Sequence, residues 1–239
     1  MGRDEFLAKV KKAAESGAVE SRSFQTPSFL LNDTEVNSQA TEIFKYASDH
    51  WEDLAAKLLD RAVSLGWEVI RCSNSEDAFE YVESVVSNLD AKNIVITSQK
   101  SISDVGLDKL SEDDIDVVTV NSRDEMKPGD MRAKALQADV GVTGVEFAVA
   151  ETGTAVLSSD SETGRLVGLA PPVHIVIVKR GQILPSLDEL FLLRKWQSVN
   201  GLAPQYTNLI SGPSRSADIE YTLVTGVHGP GDVRMVLVD

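Results

Sequence analysis

From Trp67 to Gly144 the sequence alternates between short apolar runs and stretches of helical period, and this rhythm restricts the fold more than any other feature. "WEVIRC" (67–72), "NIVITS" (93–98), "IDVVTV" (115–120) and "DVGVTG" (139–144) read as strands. Between them, "SEDAFEYVESVVSNL" (75–89) places Ala78, Tyr81, Val82, Val85 and Val86 on one helical face. "DVGLDKLSED" (104–113) reads as a short helix or turn, and "DMRAKALQA" (130–138) as a helix. Nearly continuous apolar strands separated by helices imply a parallel sheet covered on both faces. The later part is richer in strand, with "TAVLSS" (154–159), "VHIVIVKR" (173–180) and "VRMVLVD" (233–239). A helix, "SLDELFLLRKWQSV" (186–199), separates the last two, with Ser186 and Glu189 in capping-box spacing.

Upstream, Val36, Ala40, Ile43, Phe44 and Ala47 recur with helical period, and the period resumes at Trp51, Leu54, Ala55, Leu58, Leu59 and Ala62. Asp49 and Glu52 resemble a capping box for the second helix, and Gly66 is a natural stop. Residues 3–15 suit a short amphipathic helix, and residues 16–33 lose periodicity. The expected organisation is an open, mostly parallel α/β sheet flanked by helices over residues 49–239. Residues 1–48 form an N-terminal helical extension and linker. Such an arm could pack on a neighbouring subunit and make a homo-oligomer, or fray as many termini do.

Of the 239 residues, 42% are apolar, enough for one sizeable core. No run of about 18 apolar residues appears, so no membrane span is expected. The charged N-terminus lacks the apolar segment of a secretory signal, which makes cytoplasm the expected location. The formal charge of −14 and the lack of a basic stripe argue against nucleic acid as a partner. That charge is uneven: −10 over residues 51–150 but −2 over 151–239, where an anionic ligand would meet less repulsion. The single cysteine, Cys72, excludes an internal disulfide and a cysteine-ligated iron–sulfur cluster. His50, His174 and His228 show no metal-ligand spacing, so no metal is expected. Dinucleotide, nucleoside-triphosphate and nucleophile-elbow motifs are missing. His174, in an apolar run, reads as a satisfied or half-buried strand histidine.

Two stretches remain for chemistry. In "GVTGVEFAVAETGT" (141–154), Thr143 and Gly144 fall where a parallel strand ends, the usual side for ligands in open α/β sheets. Glu151, followed by Thr152 and Gly153, lies in a turn between apolar segments at 145–150 and 154–159. Its carboxylate could be an acid/base group, a nucleophile, or a turn carboxylate bonded to neighbouring amides; the residues leave these open. In "SGPSRSADIE" (211–220), Ser216 is placed to cap a helix starting at Ala217. The amides there, with Ser214 and Arg215, would suit a small anion, while Asp218 would either oppose it or complement the helix dipole. His228 sits in the turn-rich "GVHGP" (226–230), as a loop histidine or an acid/base group.

The order of "AETGT", "PVHIVIV", "GPSRSADIE" and "GVHGP" resembles the lactate utilization protein C family, also described as the LUD domain, over roughly residues 49–239. The resemblance implies a fold similar to that of sugar-phosphate isomerases and coenzyme A transferases. It also implies a role in oxidising L-lactate to pyruvate beside iron–sulfur partner subunits, which would carry the clusters that this chain does not. Coenzyme A transferases of related fold use a glutamate near glycine. By that analogy Glu151 would be catalytic and the alternative function a stand-alone enzyme for an acyl-coenzyme A or sugar phosphate.

Overall fold

The computed structural model describes residues 2, 5, 31–113, 115–120, 128–159, 162–219 and 222–239. The expected helix at residues 3–15 lies outside the described residues apart from residue 5. The chain begins with α1 (Asp33–Asp49) and α2 (Trp51–Leu65). There follow β1 (Glu68–Cys72), α3 (Ser75–Asn88), β2 (Asn93–Thr97), α4 (Lys100–Val105), a 3-10 segment (Leu107–Asp113) and β3 (Asp116–Val120). Next come α5 (Pro128–Gln137), β4 (Val140–Gly144), β5 (Phe147–Val149), β6 (Thr154–Ser159), α6 (Glu162–Val167) and β7 (Val173–Lys179). The last elements are β8 (Ile183–Leu184), α7 (Leu187–Val199), β9 (Tyr206–Ile210), β10 (Arg215–Ile219), β11 (Thr222–Thr225) and β12 (Asp232–Val238).

Six strands form one parallel sheet in the order β1-β12-β7-β4-β2-β3. Its central strands are apolar on both faces, as β7 illustrates: Ile175 and Ile177 join one core cluster, Val176 and Val178 another. Each fully buried Val, Leu or Ile contributes about 1.5–3 kcal/mol. On the Ile175 face lie α3 and α4, through Val82, Val85, Ile102 and Val105. On the other lies α2, through Trp51, Leu54, Ala55 and Leu58. A second, four-stranded sheet, β8-β5-β6-β9, packs on the far side of α2 through Ala148, Ala150, Ala155 and Ile183. Its outer face is covered by α1 and α7, with Val36, Ala40 and Ile43 meeting Phe147, Val149, Leu190 and Leu193.

Local chemistry explains most boundaries. Asn32 and Glu35 form a capping box at the start of α1, and Asn74 caps α3 through the Glu76 and Asp77 amides. Gly66 ends α2 in the left-handed conformation, as expected. The Asp49/Glu52 box does not form. His50 ends α1 with its amide on Tyr46 and begins α2 without a side-chain cap, because the chain leaves helical geometry for one residue only. Ser186 caps α7 through the Asp188 amide, but its hydroxyl also bonds the Glu189 carboxylate, so the reciprocal box is not made. The helix expected from Ala217 is absent: Arg215 and Ser216 pair with Thr225 and Val224 in an antiparallel hairpin. The segment Thr222–Thr225, with β-branched Thr222, Val224 and Thr225, offers a strand partner, and pairing outweighs the capping signal.

Candidate functional site

The residues singled out by sequence fall into two groups, one at each edge of the parallel sheet. At the amino edge, the hairpin turn between β5 and β6 carries Glu151, Thr152 and Gly153. The Glu151 amide donates to the Pro185 carbonyl at 3.1 Å. Its side chain projects into solvent, and its carboxylate has no hydrogen bond or ion pair among the described residues. Gly153 has φ 58° and lies against the backbone of α2, where an added Cβ would sit 2.9 Å from the Ala62 nitrogen. Only glycine satisfies both the dihedral and the approach.

From this turn a hydroxyl chain leads to the second motif. The Thr154 hydroxyl is 2.7 Å from those of both Thr152 and Ser211. The Arg215 guanidinium donates to the Leu65 carbonyl at 3.1 Å, at the end of α2. Ser214 is held by three bonds: its amide to the Pro230 carbonyl, its carbonyl from the Gly226 amide, and its hydroxyl from the His228 amide at 3.2 Å. The Gly231 amide then donates to Pro172, just before β7. The structure thus brings Ser214 and His228 together, and ties Thr152 to the same loops through Thr154 and Ser211. Arg215 anchors the hairpin to α2, and Asp218 lies in β10 rather than in a first helical turn. The cap geometry invoked for an anion at Ser216 is therefore not formed. The His228 side chain is exposed.

Thr143 and Gly144 lie elsewhere, at the carboxyl end of β4. Thr143 is fully buried, with its hydroxyl 2.9 Å from His174 Nε2. His174 is also fully buried, and its Nδ1 has no partner among the described residues. Burial holds its pKa down to about 3, so the ring is neutral near pH 7. Past Gly144, Glu146 accepts from Arg194 at 2.8 Å and from the Gln197 amide and Ser158 hydroxyl. Arg194 also donates to Ser158 at 2.8 Å and to Gln197 at 2.7 Å. Glu146, Ser158, Arg194 and Gln197 escaped the sequence reading. Arg194 and Glu146 are 48 residues apart, and only the placement of α7 beside β5 and β6 unites them.

Glycine-rich loops on one edge of an open α/β sheet, with a polar cluster on the other, define a doubly wound protein with two candidate ligand-facing regions. The chain belongs to the LUD domain family, whose model matches residues 55–238. Lactate utilization protein C of Bacillus subtilis is 34% identical over 190 residues, covering 78% of this chain and 79% of that protein. Its namesake in Bacillus licheniformis is 41% identical over 107 residues, covering 44% and 45%. In fold, the chain is similar to a duf162 family protein from Deinococcus radiodurans, with a TM-score of 0.52 at 19% identity over 79% of this chain and 98% of that one. Among the described residues, no helix is long and apolar enough to cross a membrane. No group of three or more His, Cys, Asp or Glu side chains among them is placed to hold a metal ion.

Proposed function

We propose that this chain is a component of a lactate utilization system and supports oxidation of L-lactate to pyruvate together with iron–sulfur partner proteins. The observation that carries the reading is the 34% identity to a lactate utilization protein C over 78% of the chain. Oxidation of the secondary alcohol releases two electrons and two protons, and clusters on partner subunits would accept the electrons. One cysteine cannot provide the ligand set for such a cluster, which suits a cluster-free member of the assembly. The interlocked loops at the amino edge offer a rigid docking or binding face. A strain lacking the gene should fail to grow on L-lactate as sole carbon source while growing normally on a sugar, and the wild-type gene should restore growth. Undiminished growth of the deletion strain on L-lactate would refute the reading.

A second reading is favoured by one observation: the Glu151 carboxylate is exposed and unengaged on a turn whose backbone is fixed at Pro185 and at α2. In this reading Glu151 is the acid/base or nucleophilic group of an enzyme acting on an anionic substrate such as an acyl-coenzyme A or sugar phosphate. Glu151→Gln keeps the size and removes the charge. Full complementation of the deletion strain by this variant would exclude Glu151 as a catalytic group in lactate utilization.

A further inference from the structure

We propose that the polar cluster of Thr97, Gln99, Ser101 and Gly144, at the carboxyl ends of β4 and β2, binds a small 2-hydroxy- or 2-oxo-monocarboxylate. The topology marks the place. From β2 the chain moves outward to β3, whereas from β4 it moves the other way, to β7. Neighbouring strands whose outgoing connections diverge mark the switch point at which open α/β sheets bind ligands.

Past the end of the ladder, side chains replace the strand as partners. The paired register of β2 with β4 runs from Ile94↔Val140 to Ile96↔Val142, whereas that of β4 with β7 continues to Gly144↔Ile177. On its β2 side the Gly144 peptide therefore meets side chains instead of a strand. Its amide lies 3.2 Å from Gln99 Oε1 and 3.4 Å from Thr97 Oγ1, and its carbonyl lies 3.4 Å from Gln99 Nε2. The two contacts at 3.4 Å are longer than ordinary hydrogen bonds, and ligand oxygens can replace them at small cost. Thr97 Oγ1 also bonds Gln99 Oε1.

The hydroxyl of Ser101 is the independent sign. Ser101 is 6% exposed, and its Oγ is buried with no partner among the described residues. It sits directly over Gly144, where an added Cβ would come within 2.1 Å of it. An unsatisfied buried hydroxyl is costly, and a ligand oxygen would remove that cost. The donors are neutral: the hydroxyls of Thr97 and Ser101 and the amide of Gly144. Such a set suits a monoanionic carboxylate better than a phosphate dianion. The nearby Lys179 ammonium is already paired with Asp104. The Gln99 carboxamide can accept from a 2-hydroxyl or donate to a 2-oxo group. The choice of a 2-oxygenated acid rests on the lactate reading above; the position of the site does not.

Calorimetric titration of the purified full chain with L-lactate, pyruvate, propionate and inorganic phosphate tests the proposal, with circular dichroism reporting the fold. L-lactate or pyruvate should bind saturably, and propionate, lacking the 2-oxygen, at least about tenfold more weakly. Ser101→Ala and Gln99→Ala, which add no volume, should each weaken binding about five- to tenfold. Gly144→Ala should abolish it, and the other two variants decide the matter if that protein does not fold. Absence of binding by both acids, binding indifferent to Ser101→Ala and Gln99→Ala, or phosphate binding as tightly as L-lactate would each overturn the proposal. Binding that depends on Ser101 and Gln99, in a protein whose gene is dispensable for growth on lactate, would uphold the site and refute the lactate reading. Growth loss without binding that depends on Ser101 and Gln99 would do the reverse.

Discussion

The two edges of the parallel sheet are held by different chemistry. At the amino edge, loops are locked by backbone groups: Ser214 with Pro230 and Gly226, Gly231 with Pro172, Glu151 with Pro185. At and past the carboxyl end of β4, the contacts join side chains distant in sequence: Glu146 with Arg194 and Gln197, Thr143 with His174. The first arrangement depends on glycine and proline placing the backbone and leaves side chains such as Glu151 and His228 projecting outward. The second depends on the identity of each side chain. Substitutions should therefore act on the amino edge mainly through conformation, and on the carboxyl edge through lost partners.

The sharpest test of that contrast is Arg194→Ala. It leaves Glu146 with its neutral partners only, in a place where both charged side chains are mostly shielded. Loss of about 2–3 kcal/mol in urea denaturation is expected, the largest effect in this group. Arg194→Lys should recover part of it, since one ammonium cannot reach Glu146, Ser158 and Gln197 as the guanidinium fork does. At the amino edge, Gly153→Ala should cost about 2 kcal/mol by the same measurement, although no side-chain partner is lost. The positive φ and the Ala62 backbone both resist a Cβ.

His174 yields a pH signature. With its folded pKa near 3 against 6.5 for an ordinary imidazole, the unfolded chain takes up a proton that the folded chain refuses. The stability from this group is complete above pH 6.5 and declines as pH falls from 6.5 towards 3, by at most about 1.4 kcal/mol per pH unit. His174→Gln, which cannot titrate, should flatten that part of the acid limb, as read from melting temperatures at successive pH values. An unchanged acid slope would count against the buried neutral ring. The smallest effect is expected from Ser214→Ala, about 1 kcal/mol for one hydrogen bond from the His228 amide. Hydrogen exchange at that amide should accelerate by about fivefold, with the Glu146 cluster unaffected.

The sequence shows the same division. The parallel strands were legible because burial on both faces gives continuous apolar runs such as "VHIVIV", and the helices because their inward residues recur at three and four. The turn carrying Glu151 was legible too, since Thr152-Gly153 interrupts two apolar segments. Strands as short as β5 and β8 carry too few residues for a period. The hairpin of β10 and β11 was concealed by a serine that reads equally well as a helix cap. His174 was placed in a strand, but its bond to Thr143 spans 31 residues and follows only from the pairing of β4 with β7. Ser101 gave no signal, because an unsatisfied hydroxyl is a property of surroundings and not of spacing.

Helix α2 has a consequence for how the molecule comes apart. Leu54, Ala55, Leu58 and Ala62 lie between the two sheets, and the helix also carries the backbone surfaces on which Gly153 and Gly212 rest. Neither sheet has a complete interior without it. Two architectural layers are thereby joined into one foldon, and peeling away the smaller sheet would strip the larger of its lining. The chain should melt in a single transition, and partial digestion should release no folded half.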